Sequence, residues 1–260
     1  QVGEDRGVPF VAMPLLKGES LEDRLRRDGR LPVAEVLRIG REAAEGLAAA
    51  HARGLIHRDV KPANLWLEMR PGEPGGLSPR SRVKILDFGL ARAAAEAIAL
   101  TKPGAIVGTP AYMAPEQARG EPVDARSDLF SLGCVLYRLC TGLAPFRGAT
   151  AMQILTALAL DQPQRPRALN PAVPPPLDEL VMRLLAKRPG DRLASAQGVV
   201  EAVEAAEREQ ALPAGASPAR RRRWLRAAVV LAVAAGLLLA GGIVYVQTDN
   251  GTRAIETNDR

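Results

Sequence analysis

Asp59, Lys61 and Asn64 fall within the run His57-Arg58-Asp59-Val60-Lys61-Pro62-Ala63-Asn64, and Asp87 opens Asp87-Phe88-Gly89. A carboxylate can accept a proton from a hydroxyl, and a second carboxylate with an amide oxygen makes the oxygen-only donor set that a hard divalent cation takes. Taken singly, each group has a plainer reading. Asp59 and Lys61 could form a surface ion pair, and Asp87 could cap a turn. A third run, Gly108-Thr109-Pro110-Ala111-Tyr112-Met113-Ala114-Pro115-Glu116, follows further along the chain.

The order of these three runs resembles the catalytic loop, magnesium motif and activation-segment end of protein kinases, and the chain is similar to the bacterial eukaryotic-like Ser/Thr protein kinase family. The resemblance implies an α+β, protein-kinase-like fold with a mainly helical C-terminal lobe. It makes Asp59 the catalytic base that orients the substrate hydroxyl, Asn64 and Asp87 the magnesium ligands, and Lys61 a cation beside the transferred phosphate. A lysine there points to Ser/Thr rather than Tyr specificity. ATP and Mg2+ are the implied cofactors, and proteins bearing Ser or Thr, this one included, are the implied substrates in a signalling role.

The same resemblance assigns supporting roles. His57 and Phe88 belong to a hydrophobic stack. Arg58 is the cation that binds a phosphorylated residue of the activation segment, with Thr101 the better phosphosite, while Thr109 contacts Asp59 and Lys61. Glu116 and Arg192 match an ion pair that ties the segment to the C-terminal helices, and Asp128 matches the carboxylate that holds the catalytic-loop backbone. Met13 falls at the gate behind adenine, with Pro14 to Leu16 along its edge and Trp66 beneath it; ordinary core packing is the other reading of Trp66. His51 reads as a satisfied helix-end residue.

Elements must position these groups. Leu31 to Arg53 carries apolar residues at helical spacing, with Pro32 suited to a first turn, and Leu129 to Cys140 is apolar on nearly every side, a buried central helix. Val8 to Leu16 and Val83 to Leu86 read as strands, and Arg70 to Arg82, rich in Gly and Pro, as a surface loop. Cys134 and Cys140 lie on one helical pattern and point in different directions, so they read as small core residues of a reducing compartment.

Charge is concentrated rather than spread. Of the net charge of +6, five come from Arg220, Arg221, Arg222, Arg223 and Arg226. With aromatic residues at 3%, no basic stripe interleaved with stacking rings exists, which excludes a nucleic-acid binder. Ala227 to Val246 follows, without charge or proline; a helix of that length spans roughly 30 Å, the thickness of a bilayer. The arginine flank orients the preceding residues to the cytoplasm. The expectation is a kinase domain over 1–210, a linker and basic juxtamembrane segment over 211–226, a single transmembrane helix over 227–246 and the start of an extracytoplasmic segment over 247–260. The lipid bilayer is then a partner, the cell membrane the location, and Gly236, Ala240 and Gly241 a close-packing face that allows a homodimer.

Upstream of the hinge the family carries a glycine-rich loop, a strand lysine and a helix glutamate. None is found here: the glycine-dense stretch Gly72 to Gly76 comes after the catalytic loop, and the first residue is Gln1 rather than Met. The sequence reads as hinge plus large lobe, cut at both ends, and this polypeptide alone is expected to turn over little. The alternative is a catalytically inactive membrane-anchored scaffold. The complete set Asp59, Asn64 and Asp87 argues against it, since a scaffold has no physical need for magnesium ligands.

Overall fold

A computed structural model describes residues 2–5, 8–11, 14–69, 81–87 and 110–211. The chain divides into two compact units, Gln1–Gln210 and Ala211–Arg260. The anticipated juxtamembrane segment, the span 227–246 with Gly236, Ala240 and Gly241, and the residues after it lie outside the described residues. Among the described residues no helix is long and apolar enough to cross a membrane.

The first unit begins with an antiparallel hairpin, β1 (Val2–Asp5) and β2 (Val8–Val11). Of the strand anticipated over Val8 to Leu16, β2 covers Val8–Val11; Ala12 and Met13 lie outside the described residues, and Pro14 to Leu16 lie in no strand. A three-stranded antiparallel sheet follows in the order β3 (Gly18–Ser20), β4 (Leu65–Glu68), β5 (Arg82–Ile85). Leu65 and Leu67 turn into the core while Trp66 and Glu68 turn to the other face, the two-residue alternation of a sheet buried on one side.

Helices supply the rest. α1 (Leu21–Asp28) is capped by Ser20, whose Oγ accepts from the Asp23 N–H and donates to the Asp23 carboxylate. α2 (Val33–His51) starts after Pro32 and buries Val36, Leu37, Ile39, Gly40, Ala43, Ala44 and Leu47, a stripe at spacings of three and four. α3 (Pro115–Ala118) is a single turn. α4 (Ala125–Thr141) is capped by Asp124 and closed by left-handed Gly142, and it is buried from Ser127 to Tyr137 on every side. Three further helices, α5 (Ala151–Leu160), α6 (Pro166–Leu169) and α7 (Pro175–Leu184), lead to α8 (Ala196–Ala211).

α4 can be central because its neighbours approach closely. A Cβ on Gly40 of α2 would lie 2.9 Å from Leu136, and one on Gly133 would lie 2.7 Å from the Leu184 Cβ of α7. Cys134 and Cys140 are buried, unpaired thiols of this helix, and burial pushes both thiol pKa values up, that of Cys140 to about 12. They pack as small apolar groups.

Gly133→Ala should destabilise this unit. The new methyl meets Leu184 at its backbone end, which cannot swing away, so an overpacking cost of about 1–3 kcal/mol outweighs the roughly 1 kcal/mol that alanine gains in a helix. Gly190→Ala, with nothing within 4 Å, is the matched control and should leave the urea midpoint nearly unchanged.

Candidate active site

The loop that follows α2 carries Asp59, and it is held from α4. Asp128, fully buried in the first turn of α4, accepts three hydrogen bonds. Its Oδ1 takes the Arg58 N–H at 2.7 Å, and its Oδ2 takes the His57 N–H and the His51 Nε2–H, each at 2.8 Å. His51, anticipated as a satisfied helix-end residue, is paired through Nε2, while its Nδ1 is buried and unpartnered among the described residues. Arg58 is held at a φ of 63°, the left-handed region, which costs a non-glycine residue on the order of 1–2 kcal/mol. Charge-assisted bonds to a buried carboxylate, about 1.5–3 kcal/mol each, are enough to offset that strain.

His57, anticipated in a hydrophobic stack with Phe88, also has a polar role. It is buried, but its ring is a polar bridge: Nε2 lies 2.8 Å from the Leu86 carbonyl, and Nδ1 accepts the Asp59 N–H at 3.2 Å. A carbonyl only accepts, so the ring carries its proton on Nε2 and presents a lone pair at Nδ1. One imidazole thereby ties Asp59 to the residue preceding Asp87. Phe88 lies outside the described residues.

Lys61 and Asn64 converge on Asp59. Lys61 Nζ sits 2.6 Å from Asp59 Oδ2; Asn64 Nδ2 donates to the same oxygen at 3.1 Å and to the Asp59 carbonyl at 2.9 Å. Two bonds on the amide nitrogen fix the plane of the Asn64 side chain and turn its oxygen the other way. The Leu86 N–H donates to the Asn64 carbonyl at 2.8 Å, and Leu65 pairs with Ile85, so sheet register sets Asn64 beside the residue before Asp87. Asp87 is exposed and itself left-handed at φ 53°. The oriented amide oxygen of Asn64 and the exposed carboxylate of Asp87 are all-oxygen donors that fit Mg2+, which completes its shell with phosphate oxygens and water.

The sequence reading missed the clamps that aim β5 at this point. Glu42 of α2 accepts the Val83 N–H at 2.7 Å, and Arg38, one turn earlier, binds the Ser81 carbonyl and its Oγ. An i,i+4 Arg–Glu pair on a helix is a common surface pattern, and only the fold shows that these two grip a strand edge. Trp66 faces away from the core, half-buried, with its indole N–H buried and unpartnered among the described residues. Pro14 is exposed and Leu16 half-buried. Met13, Thr101 and Thr109 lie outside the described residues.

Further along the chain, the Glu116 carboxylate and the Arg192 guanidinium form a bidentate pair at 2.7 and 2.8 Å, almost wholly buried. Ser127 Oγ also donates to Glu116, and Arg192 spends its remaining N–H groups on the carbonyls of Arg126, Ala186 and Lys187 while lying over the Phe130 ring. Burial opposes the Glu116 charge, but the hydrogen bonds from Arg192 and Ser127 prevail and hold its pKa below the usual glutamate value.

Residues 2–203 match the family described as protein kinase domain. The chain belongs to the protein kinase family. It is 42% identical over 220 residues to the serine/threonine-protein kinase PknL of Mycobacterium tuberculosis, covering 84% of this chain and 52% of PknL. It is 39% identical over 209 residues to the serine/threonine-protein kinase pkn3 of Myxococcus xanthus, covering 78% of this chain and 37% of that protein. The chain spans about half or less of the length of these curated relatives. The crystal structure of the Mycobacterium tuberculosis PknI kinase domain matches with a TM-score of 0.55 and 30% identity, over 78% of this chain and 68% of that one. These bacterial Ser/Thr kinases place this kinase-family chain in the eukaryotic-like branch that its motifs resemble.

Arg192→Met should cost about 3–5 kcal/mol at neutral pH, because it leaves the buried Glu116 carboxylate without its partner. Since the folded Glu116 pKa is depressed, the pair's contribution is complete above the ordinary glutamate range and lost as pH falls through the folded value. The gap between variant and wild type in urea unfolding should therefore narrow below about pH 4.

Proposed function

We propose that this kinase-family protein transfers the γ-phosphoryl group of ATP to Ser and Thr hydroxyls of proteins, its own activation segment among them. The observation that carries the reading is the convergence of Lys61 Nζ and Asn64 Nδ2 on Asp59 Oδ2, one strand register from Asp87. Phosphoryl transfer asks little covalent chemistry of a protein and much positioning of charge. The Asp59 carboxylate, still reaching solvent, accepts the hydrogen bond of the incoming hydroxyl and then its proton. Lys61 holds positive charge beside that carboxylate, where the phosphoryl oxygens gather. Mg2+ held by Asn64 and Asp87 would neutralise negative charge on the phosphates. Adenine would lie against Trp66, with Pro14 and Leu16 along its edge as the kinase resemblance implies. Arg58 with Thr101 is the proposed phosphorylation device, and Thr109 the contact to Asp59 and Lys61.

An inert scaffold gains nothing from an Asn64 amide held in one orientation beside a left-handed Asp87, which supports catalysis. The sequence beyond Gln210 supports a membrane anchor: Arg220 to Arg226 precede the uncharged 227–246, so we propose a single-pass span with the kinase lobe on the cytoplasmic side.

In the full-length gene product, Asp59→Asn should lower kcat for ATP-dependent phosphorylation of a Ser/Thr peptide by about 10²–10⁴-fold; transfer at the wild-type rate would overturn the assignment. Protease added outside spheroplasts should leave residues 1–226 intact, and their digestion would refute the orientation.

A further inference from the structure

We propose that Gln117 is a positioning residue for the base: its side-chain amide fixes the Arg58–Asp59 peptide and, through it, the direction of the Asp59 carboxylate. The inference rests on the reading of Asp59 given above. Gln117 is half-buried in the single turn α3, and its Nε2 donates to the Arg58 carbonyl at 2.9 Å, across 59 residues of sequence. Its Oε1 accepts the Ala114 N–H at 2.9 Å, at the start of the same turn. A flipped amide would set oxygen against the Arg58 carbonyl and N–H against N–H, so only one orientation serves both contacts.

The location of this bond gives it leverage. Asp128 holds the peptide before Arg58 by its N–H; the peptide after Arg58 is held at two ends, by Gln117 on its oxygen and by His57 Nδ1 on the Asp59 N–H. Of those two, the His57 bond is the longer, at 3.2 Å. Without Gln117 the 58–59 peptide loses the shorter of these two bonds while the left-handed φ of Arg58 favours relaxation. The peptide plane sets the direction in which the Asp59 Cα–Cβ bond leaves the chain, and errors of about 1 Å at such a group are costly. Gln117 is itself well placed to be rigid, because its neighbour Glu116 is locked to Arg192. A single amide thus joins the end of the activation segment to the catalytic loop.

The test uses the full-length gene product with ATP, a Ser/Thr peptide and a thermal melt alongside. Gln117→Glu keeps the acceptor for the Ala114 N–H but turns a carboxylate oxygen toward the Arg58 carbonyl. Gln117→Met keeps the length and removes both contacts. The expected result is a kcat loss of about tenfold or more in each, with KM for ATP within about twofold and Tm close to wild type. Retained kcat in both folded variants, or loss of folding in both, would overturn the proposal. If Gln117→Glu alone fails to fold, the kcat of Gln117→Met decides. Asp59→Asn run in parallel separates the two ideas: if it stays active the base assignment fails, and if it is dead while Gln117 variants are normal only this inference fails.

Discussion

Asp128 contributes one carboxylate to the interior of the lobe, and the remainder of the catalytic arrangement hangs on it. A buried carboxylate without donors would be costly, and Asp128 has three, all from the end of α2 and the loop beyond it. The loop in turn cannot hold Arg58 in its left-handed conformation without an external grip. Each side resolves the other's cost. This mutual dependence explains why α4 is enclosed by other elements on every side: the grip is only as rigid as the helix that carries it.

The second anchor of the site is the β4–β5 ladder. Register places Asn64 beside Leu86, and His57 reaches the same Leu86 from the loop, so two separate stretches meet at the residue before Asp87. Arg38 and Glu42 press the other end of β5 onto α2. The oxygen donors themselves stay accessible, while everything that aims them is backbone bonding or a buried side chain. That division suits a reaction in which the protein must present charge at fixed points and otherwise stand clear.

The convergence of Asp59, Lys61 and Asn64 was legible in the sequence because their spacing is local: they meet within one loop and one turn. The two long helices were legible too, from apolar periodicity in α2 and the nearly unbroken apolar run of α4. What could not be read was long-range polar pairing. Gln117 carries no signal that it reaches Arg58, and Arg38 looks like any helix-surface arginine until Ser81 arrives beside it. The polar bonds of His57 carry no sequence signal either, because burial and hydrogen bonding are not exclusive for imidazole and only geometry shows both.

Asp128 follows His57 by 71 residues, and Arg192 follows Glu116 by 76. On a ribosome, then, Asp59, Lys61 and Asn64 emerge long before the carboxylate that bends their loop, and the lock on the neighbouring segment emerges later still. A nascent chain halted short of Asp128 would carry Asp59, Lys61 and Asn64 without the carboxylate that holds their loop. Because the site is assembled from distant parts, its geometry is complete only once most of the lobe has been synthesised.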